Sequence, residues 1–289
     1  MSNTKGTRNY MRNFQTKRRR RREGKTDYQH RRNLLRQDCT TQGTVKSRLV
    51  VRSTNSKIVC SIVKAYIDGD RVVASADSTE LMNYGINFGL KNHFAAYATG
   101  FLCARRALMS NGLDKVYQPN MEVGKDSVIE DVDEEHKAYK VFLDIGLARA
   151  SKGSNVFIAM KGASDAGLQI PHSESKFFGF SEDKGLDSTL LRDRIFMSQN
   201  IAYMIELRDN DEEAYKRQFG KYISLGIKPE EISGKLENCL KAIAENPMLN
   251  KDNKKERTSK AHYNNKVAKL TCEERKQKVS TKLAASAQE

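Results

Sequence analysis

Long apolar runs are missing from this chain of 289 residues. No stretch of about 18 apolar residues occurs, so no membrane-spanning helix is expected, and the first residues hold no apolar core of a secretory leader. Cysteine is sparse: Cys39, Cys60, Cys103, Cys239 and Cys272 are odd in number and never closer than 21 residues. That spacing excludes a local CxxC zinc element and suits reduced thiols, so an intracellular protein is expected. His30, His93, His136, His172 and His262 form no HExxH or paired-ligand spacing. Neither a metal nor any other cofactor is called for.

What the chain does have is positive charge, unevenly placed. The net charge is +15. Residues 1–36 hold thirteen Lys and Arg against two acids, and residues 251–289 hold eleven against five, so the body between them is nearly neutral. Arms of that density repel themselves and have little to bury. They call for a polyanion, with nucleic acid ahead of a membrane surface, because the arms lack the large apolar residues an interfacial helix inserts.

Periodicity divides the rest into an α/β core at 41–175, a helical extension at 176–250 and a basic tail at 251–289, expected to be partly disordered when free. An RNA-binding arm at 1–40 precedes them. Thr26-Asp27 offers a helix cap, with a short basic helix over 28–37 carrying Arg31, Arg32 and Arg36. Segments 48–53, 57–67 and 71–74, joined by Thr54-Asn55 and Asp68-Gly69-Asp70, read as an antiparallel meander. Its middle strand is apolar on both faces and is expected to be covered on both. Helices are expected over 91–111, ending at Gly112 with Arg105 and Arg106 near its negative end, and over 154–168. A strand at 139–145 follows an acidic loop at 119–136, and helices are expected over 186–207, 212–225 and from Pro229 toward Asn246-Pro247. The fold class is thus an antiparallel-rich sheet packed with helices, with a helical C-terminal extension and basic terminal arms.

The run Arg18-Arg19-Arg20-Arg21-Arg22 is compatible with a nuclear import signal. Tyr10, Phe14, Tyr28 and His30 interleave planar groups that stack on splayed bases between guanidinium contacts to phosphate, which favours direct RNA binding. If about eight arm charges meet phosphate, log affinity against log salt should slope by roughly -5 to -7. Gly24-Lys25-Thr26 mimics the end of a P-loop, but Arg19 stands where another glycine is needed and no strand precedes it. Gly24 is instead expected to turn the backbone, with Lys25 and Thr26 as phosphate donors. Arg48 and Arg52 belong either to a solvated edge strand or to an extension of the RNA surface. Asp144, with Asp68 or Asp70, could hold Mg in an RNA-processing enzyme, yet Asp before Gly at a strand end is ordinary turn chemistry. His172-Ser173 lacks an orienting acid and reads as a turn.

Residues 19–28, Arg48 to Asn55, Ala95 to Gly100, Phe142 to Arg149, Val156 to Ser173 and Ala244 to Pro247 together resemble universal ribosomal family eighteen. In eukaryotes this is the 5S-rRNA-binding large-subunit protein numbered five. The resemblance runs in order over most of the chain; residues before Lys17, the loop at 120–136 and the C-terminal tail match only loosely. It implies an α/β core whose extensions grip 5S rRNA, and Arg19 to Arg22, Lys25, Thr26, Tyr28, Arg48 and Arg52 as contacts. It also implies a structural, non-enzymatic part in anchoring the 5S ribonucleoprotein in the central protuberance of the 60S subunit. The implied partners are a second 5S-binding ribosomal protein, large-subunit rRNA, neighbouring proteins and assembly factors. The implied location is the cytoplasmic ribosome, after nuclear and nucleolar passage. The alternative is an assembly or import carrier of 5S rRNA that leaves before the mature subunit.

Overall fold

A computed structural model describes residues 12–36, 45–125, 128–133, 136–248 and 269–286. Tyr10, Cys39 and most of the basic tail before Lys269 lie outside the described residues. By its contacts the chain divides into one unit at Met1–Met248 and a second at Leu249–Glu289.

The first unit opens with one helical turn, α1 (Arg19–Arg22), closed by Gly24 in the left-handed region at φ 64°, where glycine carries no steric penalty. Asp27 then caps α2 (Tyr28–Leu35), its carboxylate accepting the N–H groups of Gln29 and His30. Three antiparallel strands follow: β1 (Ser47–Ser53), β2 (Ile58–Ala65) and β3 (Asp70–Asp77). Thr54 Oγ1 accepts the Lys57 N–H in the first turn, and Tyr66 and Gly69 exchange backbone bonds in the second. The expected meander is present, but β3 runs farther, and Ile67 leaves β2 to stand fully exposed in the turn. A fourth strand, β4 (Val141–Asp144), pairs parallel to β1, so the order is β3-β2-β1-β4 and the sheet is mixed. β1 is therefore central, not an edge.

One sheet face carries Leu49, Val51, Ile58, Cys60, Ile62, Ala74 and Ala76, all buried. Two helices cover it: α3 (His93–Ser110) lies on β2 and β3, and α4 (Asn155–Asp165) on β1. Each large side chain so buried contributes about 1.5 to 3 kcal/mol. The opposite face is covered only in part, by the arm: Val63 is buried there while Val59 and Ser61 are half-buried. α3 and α4 touch backbone to backbone. A Cβ on Gly100 would lie 2.0 Å from the Ala159 carbonyl oxygen, and one on Gly162 would lie 2.2 Å from that of Tyr97.

Arg105 and Arg106 do more than balance a helix dipole. Arg105 donates to the carbonyls of Tyr117, Asp114 and Ala166, and Arg106 to those of Ser75 and Pro247 and to Glu80. They satisfy backbone carbonyls of loops, of the end of α4 and of β3. Lys161 is fully buried, paired with Asp165 at 2.7 Å and bonded to the Lys125 carbonyl, while Tyr97 donates to the other oxygen of Asp165. This knot holds the acidic loop against α4.

A hairpin, β5 (Phe180–Ser181) and β6 (Gly185–Leu186), leads into the helical extension. The helix expected over 186–207 is two, α5 (Ser188–Ile195) and α6 (Ser198–Asn210), broken at Met197 with φ 60°. α7 (Glu212–Ser224) and α8 (Pro229–Glu245) follow. In the second unit, α9 (Cys272–Ser286) is exposed throughout. Its start is a capping box: Thr271 Oγ1 accepts the Glu274 N–H and the Glu274 carboxylate accepts the Thr271 N–H.

Candidate nucleic-acid interface

The partly covered sheet face faces the basic arm. Side chains alternate along a strand, so Arg48, Val50 and Arg52 of β1 share that face with Asp144 of β4, which pairs opposite Val50. Asp70 stands at the start of β3 on the same side. Together with the arm they line an open cleft of about 750 Å³. Arg18, Arg20, Lys25, Arg31, Arg48 and Arg52 supply six cations to it, against Asp27, Asp70 and Asp144. Thr26 and Tyr28 line it too.

A chain of ion pairs runs across the floor of this cleft. Arg31 of α2 makes a two-pronged bond to Asp70, at 2.8 and 2.7 Å. Arg48 reaches Asp70 at 2.5 Å with one nitrogen and Asp144 at 2.8 Å with the other. Arg52 bonds the Asp144 carboxylate at 3.0 Å and the Asp144 carbonyl at 2.8 Å. The Gly146 N–H completes the set around Asp144. Burial pushes the Asp144 carboxyl up, but the charge and hydrogen bonds of Arg52, with the Gly146 N–H and Arg48, outweigh it and hold the group below its ordinary value. Hydrogen bonds from Arg31, reinforced by the charge of Arg48, lower Asp70 against a smaller opposing effect of burial. Asp144 is thus a ligand of guanidinium groups; among the described residues no group of three His, Cys, Asp or Glu is placed to hold a metal ion.

The expected contact residues fall into three sets. Arg48 is only 6% exposed, with both terminal nitrogens engaged by carboxylates, so it stands beneath the surface it was expected to extend. The parallel pairing of β1 with β4 is the cause, since it seats Asp144 beside it. Arg31 and Arg52 are partly exposed and tied to the same carboxylates. The arm arginines are open. Arg20 Nε donates to Thr26 Oγ1, and Arg18 lies 5.1 Å from the centroid of the Tyr28 ring. Arg19 and Lys25 both pair with Glu23. Arg18, Arg20, Arg21 and Arg22 have no carboxylate partner among the described residues. Arg32 lines a second hollow of about 590 Å³ along α2, which shares Arg18, Tyr28 and Arg31 with the first, and Arg36 is exposed. On sequence Asp70 stood only as a turn residue and a candidate Mg partner of Asp144; its role as the carboxylate between Arg31 and Arg48 was not foreseen, since those two arginines lie on separate elements.

An α/β protein with an arginine-rich arm folded over one open sheet face defines the class. The chain belongs to the family of ribosomal large subunit proteins 60S L5 and 50S L18, whose description matches residues 12–173. Residues 232–288 match the ribosomal L18 C-terminal region. Among curated proteins, the chain is 45% identical to large ribosomal subunit protein uL18 of Drosophila melanogaster, over 96% of this chain and 93% of that protein. It is 44% identical to uL18 of Caenorhabditis elegans, over 95% of this chain and 93% of that protein, and 41% identical to uL18 of Theileria annulata, over 95% and 94%.

Proposed function

We propose that this protein is a structural, non-enzymatic constituent of the large ribosomal subunit that binds 5S rRNA through the arm and the sheet face beneath it. In this reading it helps assemble the 5S ribonucleoprotein and anchors it in the central protuberance. Its partners are 5S rRNA, large-subunit rRNA, a second 5S-binding ribosomal protein, neighbouring subunit proteins and assembly factors. It works in the cytoplasmic ribosome after nuclear and nucleolar passage.

The observation that carries the reading is the convergence of six cations on one cleft, of which Arg18 and Arg20, like Arg21 and Arg22 next to them in sequence, have no carboxylate partner among the described residues. A folded protein that leaves so many guanidinium groups without acids is completed by a polyanion. Relatives named as large-subunit ribosomal proteins supply the assembly, and the resemblance of the arm motif supplies the RNA. Arg19 to Arg22 changed together to alanine should weaken 5S rRNA binding and flatten the salt slope by about 3, close to the four charges removed. Unchanged affinity and slope in filter-binding titrations would remove the arm from the site. Sedimentation through a salt-washed gradient separates a subunit component, which stays with the large subunit, from a carrier, which does not.

A further inference from the structure

We infer that Asp70 and Asp144 are positioning residues of the RNA-binding face: they lock the arm helix and the sheet arginines into one preset array before RNA arrives. This rests on the proposed RNA-binding function and adds a division of labour within it. Two acids stand where a polyanion is to bind, and by charge alone each opposes it. Their geometry gives the compensating role. Arg31, Asp70, Arg48, Asp144 and Arg52 form one unbroken series of ion pairs drawn from α2, β3, β1 and β4.

Arg48 is the centre of the series and is nearly buried, with both terminal nitrogens engaged by carboxylates. Its planar fork spans Asp70 and Asp144 at once, which a single ammonium does not reproduce. Asp70 Oδ2 accepts from both Arg48 and one prong of Arg31, and its Oδ1 takes the other prong. That bond joins the arm helix to the sheet, for α2 buries no residue of its own. Without it the helix and the turn before it, with Arg20, Lys25 and Thr26, would have to be ordered at the moment of binding, at a cost in affinity. Asp144 does the same for Arg52, aligning its guanidinium through both its carboxylate and its backbone carbonyl.

The sign of a substitution decides between the two roles. If the acids merely add negative charge to the face, Asp70→Asn tightens RNA binding; if they position it, the same change weakens binding. Affinity for transcribed 5S rRNA should be measured with the full chain over a salt series for the parent, Asp70→Asn, Asp144→Asn and Arg48→Lys. We expect each variant to lose about tenfold in affinity, Arg48→Lys included although its charge is kept, with the salt slope close to that of the parent. Asp70 is one-third exposed, so its variant should stay folded with a modestly lower melting temperature; this covers the case in which Asp144→Asn fails to fold. Amide exchange across Tyr28–Leu35 in the free protein should rise in Asp70→Asn. Equal or tighter binding by Asp70→Asn, or unchanged exchange, overturns the inference while the parent still binds. If the parent shows no preference for 5S rRNA over an unrelated duplex, the functional proposal fails instead, and the exchange measurement still decides whether Asp70 holds the arm helix.

Discussion

Gly100 and Gly162 are the residues at which the smallest substitution should do the most harm. In the interior of an ordinary helix, alanine is favoured over glycine by about 1 kcal/mol. Here a methyl group on Gly100 would meet the Ala159 carbonyl at 2.0 Å, and the atom it meets is backbone, which no rotamer change can move. α3 and α4 would have to part along the seam that covers the sheet. Gly100→Ala is therefore expected to reverse the usual sign and destabilise the protein by about 1 to 3 kcal/mol, read as a lower urea midpoint. A midpoint equal to or above the parent's would mean that the helices separate at no cost. Lys161 shows the limit of reading single residues: on sequence it is one more charge on a helix, and only the tertiary approach of Asp165, Tyr97 and the Lys125 carbonyl explains its complete burial.

Among the elements, those specified by neighbouring residues could be read in advance. Asp27 is a local signal, a short acid before a helical stretch, and it caps α2 as the pattern requires. Because α2 has few contacts to stabilise it, the cap carries an unusual share of its order. Asp27→Ala is expected to cost about 1 kcal/mol of helix stability, seen as faster amide exchange over Tyr28–Leu35 while α3 and α4 stay protected. Equal exchange in the variant would show that tertiary contacts alone hold the helix. The two turns that join β1, β2 and β3, both ends of α3 and the start of α4 were legible for the same local reason; the β5–β6 hairpin was not, and α4 stops at Asp165, short of the expected 168. The parallel pairing of β1 with β4 was not, because Arg48 and Asp144 are 96 residues apart and no turn chemistry links them. Nor was the break at Met197, where the sequence offers neither Gly nor Pro. There the buried side chain, with its sulfur 2.8 Å from Asn92 Nδ2, holds a residue in a conformation its own preference disfavours. The cleft was thus half legible: its arginines stood out, and the carboxylates that organise them required the strand order.

For the whole molecule, the excess of 51 basic over 36 acidic residues makes the carboxylates the scarce partners. Asp70 and Asp144 are both held below the ordinary aspartate value of 3.8 in the folded protein. On acidification the unfolded chain therefore takes up protons at these positions before the folded one does. Stability then falls as pH falls. The contribution is complete above the unfolded value, from about pH 5 upward, and is lost as pH drops through the lowered folded values beneath 3.8. Glu23, Glu122, Asp187 and Glu230 are shifted the same way, but they are exposed and their pairs are screened by solvent. Asp144 has the larger share of the two, since it is nearly buried and pairs with both Arg48 and Arg52, whereas Asp70 is one-third exposed. Urea midpoints measured from pH 7 to pH 2.5 should be level down to about pH 5 and then fall. Asp144→Asn should start lower at pH 7 and fall less steeply below pH 5, its curve converging on the parent's. Parallel curves for the two proteins would place the acid sensitivity in the summed repulsion of the arms and not in the ion-pair series beneath them.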